Sequence, residues 1–132
     1  MANRIVNFEV AADDGERAKK FYETVFGWEI KKWEGTGAEE SGMSVWMIKT
    51  GTKEEPGIDG ELLLRAENPK TGQGRAFFCT IAVDDIDEAI AKIKRAGGKI
   101  LSDKMEMEEM GWFASAEDSE GNKFGIMQTR GK

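Results

Sequence analysis

Apolar and polar residues alternate at the start of the chain and then change to a helical period. Every second residue of RIVNFEV (residues 4–10) is apolar, which predicts a half-buried β-strand. In residues 12–27 apolar side chains recur three and four positions apart, which predicts an amphipathic helix. Asp13 or Asp14 is suited to cap its start, and Gly27 to end it in a left-handed conformation. The predicted core-facing stripe comprises Ala18, Phe21, Tyr22, Val25 and Phe26.

The same order of elements occurs a second time. Three strands are predicted after the first helix, at residues 28–34, 43–50 and 58–65. The second half is predicted to contain a strand at 75–83, a helix at 84–98, and strands at 99–105, 111–118 and 122–130. A shift of 71 residues brings Asp13 and Asp14 onto Asp84 and Asp85, and Gly27 onto Gly98. The repeated order predicts two βαβββ modules.

Neither predicted module covers both faces of its own sheet, so the two are expected to share one core. The sequence therefore predicts a single α+β domain over residues 1–132. Module one spans about 1–66 and module two about 75–130. Residues 67–74, polar and containing Pro69 and two glycines, are predicted to be a linker.

The composition excludes several classes of function. The net charge is -6 and the isoelectric point is near 4.8, which disfavours nucleic acid as a partner. No apolar run has the length of a membrane span or a signal peptide, so we expect a cytoplasmic protein with no membrane partner. The chain contains no histidine, which excludes a Ser-His-Asp triad. It also leaves the single Cys79 without a histidine to activate it.

Several stretches together resemble one family. They are FYETVFGWEI, PGIDGELLLR, AVDDIDEAIAKIKRAGGKIL and GWFASAEDSEGNKFGIMQ. They are similar to the vicinal oxygen chelate superfamily of glyoxalase I, bleomycin-resistance proteins and extradiol dioxygenases, and most of all to its small glyoxalase-like members. The resemblance implies a curved mixed sheet around a cleft, and a homodimer. In metal-dependent members each module supplies one ligand from its first strand and one from its last.

The ligand positions implied by the resemblance carry poor metal ligands. The first-strand positions fall at Asn7 and Phe78, and the last-strand positions at or near Gly60 and Gly125. Phe and Gly offer no ligating side chain, and an Asn amide is a weak donor for transition metals. We therefore expect no metal cofactor and no extradiol dioxygenase, which would need histidine ligands. A divalent cation would need oxygen ligands, with Glu9 as the candidate ligand or catalytic base.

Strand alternation predicts which side chains face the cleft. The first-strand positions imply that Ile5, Asn7 and Glu9 face inward, whereas Glu61 points away from the face of Gly60 and Leu62. The two glycines are equally consistent with an open pocket and with close packing. The predicted cleft residues are Asn7, Glu9, Gly60, Leu62, Phe78, Thr80, Trp112, Gly125 and Met127.

Three functions are compatible with this pattern. The first is a binding protein that holds a small apolar or aromatic molecule without a metal. The second is a glyoxalase-type lyase or isomerase that uses an oxygen-ligated divalent cation near Glu9. The third is a module for protein–protein contact without a ligand. The poor metal ligands favour the first over the second.

Overall fold

The structure is a computed structural model that describes residues 3–34, 43–67 and 77–130. These residues form nine β-strands and two α-helices, which confirms the predicted α+β class. Contacts divide the chain into two compact units: Asn7–Phe77, and Met1–Val6 together with Phe78–Lys132. Within the described residues, neither helix is long and apolar enough to cross a membrane.

The unit Asn7–Phe77 contains one helix and a four-stranded sheet. Its elements are β1 (Arg4–Ala12, of which the first three residues belong to the other unit), α1 (Gly15–Phe26), β2 (Glu29–Lys32), β3 (Val45–Lys49), β4 (Gly60–Leu64) and a 3₁₀ turn at Arg65–Glu67. The strand order is β2-β3-β4-β1. Strands β1 and β4 are parallel, and the other two pairs are antiparallel. Of the predicted linker, only Glu67 lies among the described residues.

The predicted start and stop signals of α1 are confirmed. The Asp14 carboxylate accepts the backbone N–H of Arg17 at 3.0 Å, as an N-cap residue does. Gly27 ends the helix with φ at 72°, a conformation that glycine adopts without steric cost. Near its N-terminus α1 contacts the sheet through Trp46, whose indole N–H donates to the Glu16 carboxylate at 2.9 Å.

The predicted core-facing stripe of α1 is wrong for three of its five residues. Phe21, Val25 and Phe26 are 55%, 53% and 60% exposed. The helix meets the sheet at its first turn, where Gly15 lies against the Trp46 ring. Further along, the Tyr22 and Phe26 rings contact Trp28, just before β2, with ring centroids 5.0 and 5.8 Å apart. These contacts leave most of the Phe21, Val25 and Phe26 side chains at the surface.

The second unit contains five strands in addition to the start of β1. Its elements are β5 (Phe78–Ala82), α2 (Ile86–Arg95), β6 (Lys99–Ile100), β7 (Met105–Met107), β8 (Gly111–Glu117) and β9 (Lys123–Thr129). The order is β5-β9-β8-β6, and β7 also pairs with β8. Strands β5 and β9 are parallel, as β1 and β4 are in the first unit. The repeated helix-and-sheet organisation thus has the same parallel pair in each unit.

The single strand predicted at residues 99–105 is two strands separated by a bulge. Ile100 pairs with Ala116 in β6, whereas Met105 pairs with Phe113 in β7. Between them, the backbone N–H groups of Leu101 and Ser102 both donate to the carbonyl oxygen of Ser115. Two residues, Leu101 and Ser102, thus lie opposite the single residue Ser115 and interrupt the hydrogen-bond ladder with β8. The second module therefore has one strand more than predicted.

Helix α2 packs on its sheet through one apolar face. Ile86 is buried with Ala114 and Ile126, and Ile90 and Ile93 pack against this cluster. Asp85 caps the helix as Asp14 caps α1, so the shift of 71 residues holds at the helix starts. It fails at the ends, because α2 stops at Arg95 with Ala96 as the cap residue instead of reaching Gly98.

The predicted turn at residues 118–122 is organised by one carboxylate. Asp118 accepts the backbone N–H groups of Glu120 and Asn122 at 2.8 and 2.9 Å, and the Asn122 side-chain amide at 3.0 Å. These hydrogen bonds, chiefly the one from the Asn122 backbone, lower the pKa of the Asp118 carboxyl below its ordinary value of 3.8. The ionised form therefore stabilises the hairpin between β8 and β9.

We expect Asp118→Asn to lower the Tm at neutral pH. A group whose pKa is depressed on folding stabilises the protein above its unfolded pKa, and this contribution is lost as the pH falls through the folded value. The Tm difference between wild type and variant should therefore shrink below about pH 4. Thermal melts from neutral to acidic pH measure it, with the exposed Asp103→Asn as the matched control. A pH-independent difference equal to that of the control would contradict the assignment.

Candidate functional site

The strand register of the Asn7–Phe77 unit places four side chains in one row across the sheet. Lys31 pairs with Met47, Met47 with Glu61, and Glu61 with Glu9. Directly paired residues share a face of the sheet, so all four side chains lie on the same side. This side is opposite α1, because Trp46 and Leu62, the next residues along β3 and β4, lie on the helix side. We call Lys31, Met47, Glu61 and Glu9 the Glu61 row.

Asn7 joins the row through a side-chain hydrogen bond. Its amide nitrogen Nδ2 donates to Glu61 Oε1 at 2.9 Å. Glu9, two residues along β1 on the same face, is 6% exposed, whereas Asn7 and Glu61 are partly buried. The expectation that Glu61 points away from Asn7 and Glu9 is therefore wrong. The structure brings the three oxygen-bearing side chains together on one face.

Gly60 and Leu62 lie on the opposite face, so their predicted placement beside Asn7 is wrong. Gly60 pairs with Phe8 and Leu62 with Val10, all on the helix side. A Cβ atom at Gly60 would lie 2.2 Å from the Phe8 carbonyl oxygen and 2.8 Å from the Phe8 ring. Gly60 is thus a close-packing glycine, and the open-pocket alternative does not hold there. The parallel register of β1 and β4, which strand alternation alone cannot supply, causes the difference.

In the other unit, four predicted cleft residues share the face opposite α2. Thr80 pairs with Gly125, and Met127 and Phe78 follow on the same side two residues along their strands. Phe78 is completely buried. The Phe113 ring covers Gly125, since a Cβ atom there would lie 2.7 Å from the ring. The Phe113 ring and the Thr80 hydroxyl therefore fill the space at Gly125, which leaves no open pocket at this glycine.

The two parallel strand pairs show which residue of β4 corresponds to Gly125 of β9. Glu9 and Thr80 are equivalent under the shift of 71 residues, and their partners are Glu61 and Gly125. The residue of β4 that corresponds to Gly125 is therefore Glu61, one position after the predicted Gly60. A charged residue inside the otherwise apolar strand GELLL is the signal in the sequence that marks this position.

Trp112 lies away from the other candidate residues of its unit. It pairs with Gln128 and packs with the α2 cluster of Ala114 and Ile126, on the helix side of the sheet. The guanidinium of Arg130 stacks over its ring at 4.7 Å. Gly125 and Met127 face the opposite side, so the structure does not bring Trp112 to them.

A shallow depression lies beside Lys31, Met47 and Glu61, three of the four residues of the Glu61 row, and Glu9 does not line it. Its volume is about 240 Å³, slightly smaller than a typical ligand pocket. Met47 supplies apolar surface and is 47% exposed. Lys31 forms an ion pair with Glu29 at 3.3 Å at one end of the depression, and Glu61 lies towards the other. The lining residues are Glu29, Lys31, Met47, Ile48, Lys49, Asp59, Gly60 and Glu61.

The corrected positions do not fit a four-ligand transition-metal centre. They are Asn7, Glu61, Phe78 and Gly125, and the last two have no ligating side chain. Among the residues that the structure describes, no group of three or more His, Cys, Asp or Glu side chains is arranged to hold a metal ion. Asn7 and Glu61 offer oxygen atoms, the ligands that a hard cation such as Mg²⁺ prefers.

Residues 4–126 match the family model of the glyoxalase/bleomycin resistance protein/dioxygenase superfamily. The chain belongs to this superfamily. It is 31% identical to a glyoxylase-like domain-containing protein of Didymella fabae, over 98% of this chain and 96% of the relative. It is 28% identical to the putative glyoxylase CFP32 of Mycobacterium bovis, where the match covers 91% of this chain but 42% of the relative.

Solved structures share the fold at low sequence identity. Methylmalonyl-CoA epimerase of Streptomyces coelicolor, in complex with 2-nitronate-propionyl-CoA, superposes with a TM-score of 0.67 at 18% identity. That match covers 99% of this chain and 100% of the epimerase chain. The hypothetical protein BH1468 of Bacillus halodurans has a TM-score of 0.70 at 15% identity, over 100% of this chain and 98% of its own. At these identities the likeness concerns the fold.

We expect Gly60→Ala to destabilise the protein more than Gly125→Ala does. The added Cβ at Gly60 meets a backbone oxygen, which cannot move without disturbing the β1–β4 ladder. At Gly125 the nearest atoms belong to the Phe113 ring, which can shift. The expected losses are about 3 and about 1 kcal/mol in the free energy of unfolding, measured by urea denaturation. Equal losses would contradict the packing of Gly60 under Phe8.

Proposed function

We propose that this protein binds a small molecule on the sheet face opposite α1, along the Glu61 row, without a transition metal. The ligand is uncharged, at least partly aromatic, and carries a hydrogen-bond donor. The observation that carries the proposal is the 2.9 Å hydrogen bond from Asn7 to Glu61 at the border of an accessible apolar side chain, Met47. The Glu61 carboxylate, oriented by Asn7, lies beside the adaptable apolar side chain of Met47.

Glu61 is the group suited to orient a ligand. A carboxylate has two oxygens with about four acceptor sites, so it is able to accept several hydrogen bonds at once. The Asn7 amide fixes the direction of Oε1, and the partial burial of both side chains strengthens hydrogen bonds formed there. A hydroxyl or amide N–H of the ligand would donate to Glu61. The carbonyl oxygen of the Asn7 side-chain amide offers a second acceptor on the same face.

Met47 is the side chain that would contact the apolar part of the ligand. An unbranched thioether adapts its shape to different partners and makes favourable contacts with aromatic rings. Met47 lies next to Glu61 in the row, so a ring against its sulfur would place a ring substituent near the carboxylate. The depression is shallow, which favours a compact ligand of one or two rings.

A second function has its own supporting observation. Glu9 and Glu61 are directly paired across β1 and β4, so their side chains leave the sheet side by side on the face that also holds Asn7. Three oxygen-bearing side chains together are able to bind a hard divalent cation, and a carboxylate beside it would serve as a base. This is the arrangement that a glyoxalase-type lyase or isomerase would use in place of histidine ligands.

We expect purified protein to contain no stoichiometric nickel, zinc or iron. The reason is the donor set, in which Phe78 and Gly125 replace two ligands and an amide replaces a third. Elemental analysis of protein prepared without chelators measures the metal content. About one transition-metal ion per chain would contradict the proposal. Recovery of magnesium or manganese alone, lost in Glu61→Gln, would favour the second function.

We expect Asn7→Ala to weaken ligand binding about fivefold, the effect of losing one oriented hydrogen bond. Glu61→Gln should weaken it more strongly, because a charged acceptor is replaced by a neutral one. Neutral phenols and aromatic amides are screened by thermal shift in the presence of EDTA, and each hit is titrated into both variants by calorimetry.

The control for this titration is Glu55→Gln, which removes a carboxylate from an exposed loop of the same unit. It should leave binding unchanged. Hits that survive both Asn7→Ala and Glu61→Gln would show that the ligand binds elsewhere. Hits that appear only when Mg²⁺ or Mn²⁺ replaces EDTA, and that Glu61→Gln abolishes, would establish the second function instead.

A further inference from the structure

The depression beside Met47 has a cationic side chain at the end opposite Glu61. Lys31 of β2 and Glu61 of β4 pair with Met47 of β3 from its two sides, so the three residues lie on one line across the sheet. All three line the depression. Neighbouring strands lie about 4.8 Å apart, which puts the backbones of Lys31 and Glu61 about 10 Å from each other. The line therefore has a hydrogen-bond acceptor at one end, an apolar side chain in the middle and a donor at the other end.

Lys31 is able to donate to a ligand while it keeps its ion pair. An ammonium group has three N–H donors, so the pair with Glu29 at 3.3 Å can persist while another N–H donates elsewhere. The Lys31 and Glu29 side chains are 78% and 58% exposed, and a pair this exposed contributes little energy that would hold the ammonium in one position. The four-carbon stem of lysine is flexible, so Nζ can move toward an acceptor above Met47.

The charges around the depression favour a neutral acceptor on the ligand over an anionic one. The lining includes three carboxylates and two ammonium groups, those of Glu29, Asp59, Glu61, Lys31 and Lys49. The excess of negative charge repels a ligand carboxylate, and Glu29 already lies against the Lys31 ammonium. A carbonyl oxygen accepts a hydrogen bond from Lys31 without adding another negative charge. The ligand group that suits Lys31 is therefore a neutral carbonyl.

We propose that the ligand is a phenol with a carbonyl group in the para position, and that Lys31 selects for this carbonyl. The inference rests on the function proposed above and names the class of ligand for that site. The hydroxyl donates to Glu61, the ring lies on Met47, and the carbonyl oxygen accepts from Lys31. Only substituents on opposite sides of a ring point to both ends of the line. One such ring, with a hydrogen bond of about 3 Å at each end, spans a distance comparable with the separation of about 10 Å.

The test is calorimetric titration of three phenols at about pH 6.5, where the hydroxyl is protonated and the probes are uncharged. The probes are 4-hydroxyacetophenone, 3-hydroxyacetophenone, whose carbonyl is not opposite the hydroxyl, and 4-ethylphenol, which has no carbonyl. Wild type should bind 4-hydroxyacetophenone about fourfold more tightly than 4-ethylphenol, the effect of one additional hydrogen bond. It should bind 3-hydroxyacetophenone no more tightly than 4-ethylphenol.

Lys31→Met removes the donor and keeps a side chain of similar length. It should abolish the difference in affinity between 4-hydroxyacetophenone and 4-ethylphenol. The matched control is Lys20→Met, because Lys20 is an exposed lysine of α1, on the other side of the sheet. This control should preserve the difference. A loss of the same size for both phenols in Lys31→Met would indicate a general change of the surface and would overturn the role assigned to Lys31.

The two proposals for this site fail in different ways. Equal affinities of wild type for the three phenols, all weakened by Glu61→Gln, would overturn the selection by Lys31 and leave the small-molecule site in place. The absence of saturable binding of any of the three phenols would overturn both proposals. Binding that Glu61→Gln does not change would do the same, because the ligand would then lie elsewhere.

Discussion

The parallel register between β1 and β4 is the constraint on which the candidate site depends. It pairs Glu9 with Glu61 and Phe8 with Gly60, and so decides which side chains leave the sheet together. A slip of one residue would exchange the two faces and bury Glu61 beneath α1. Gly60 helps to hold the register, because only a residue without a Cβ atom fits beneath the Phe8 carbonyl and ring. A packing requirement on one face thus determines the chemistry on the other.

The two units show how one arrangement of strands carries different chemistry. Each contains a parallel pair, and the equivalent positions hold Glu9 and Glu61 in one unit and Thr80 and Gly125 in the other. The first pair offers two carboxylates, and the second is covered by the Phe113 ring. Hydrogen-bonding capacity is therefore concentrated in the Asn7–Phe77 unit. This asymmetry is the reason for proposing a small-molecule site in the Asn7–Phe77 unit. It is also the reason for not expecting the two units to supply equal numbers of metal ligands.

Helix α1 buries only part of its apolar surface against the rest of its unit. Its first turn packs on Trp46, and Tyr22 stacks on Trp28, which together fix the helix on its sheet. The apolar residues left over, among them Phe21, lie at the surface beside two arginines. An apolar stripe does not by itself reveal how much of it another element covers, and here part of it stays exposed.

The sequence by itself determined the α+β class, both helices and most of the strands. These follow from local rules: alternation of period two, a helical stripe, Asp14 and Asp85 as caps, and Gly27 as a stop. It also marked Asn7 and Glu9 as neighbours on one face. Only the tertiary structure decided that Glu61 joins them and that Gly60 and Leu62 do not, and it separated Trp112 from Gly125 and Met127. Those relations depend on the register between strands distant in sequence. A register is set by packing across the sheet, and alternation within one strand contains no information about it.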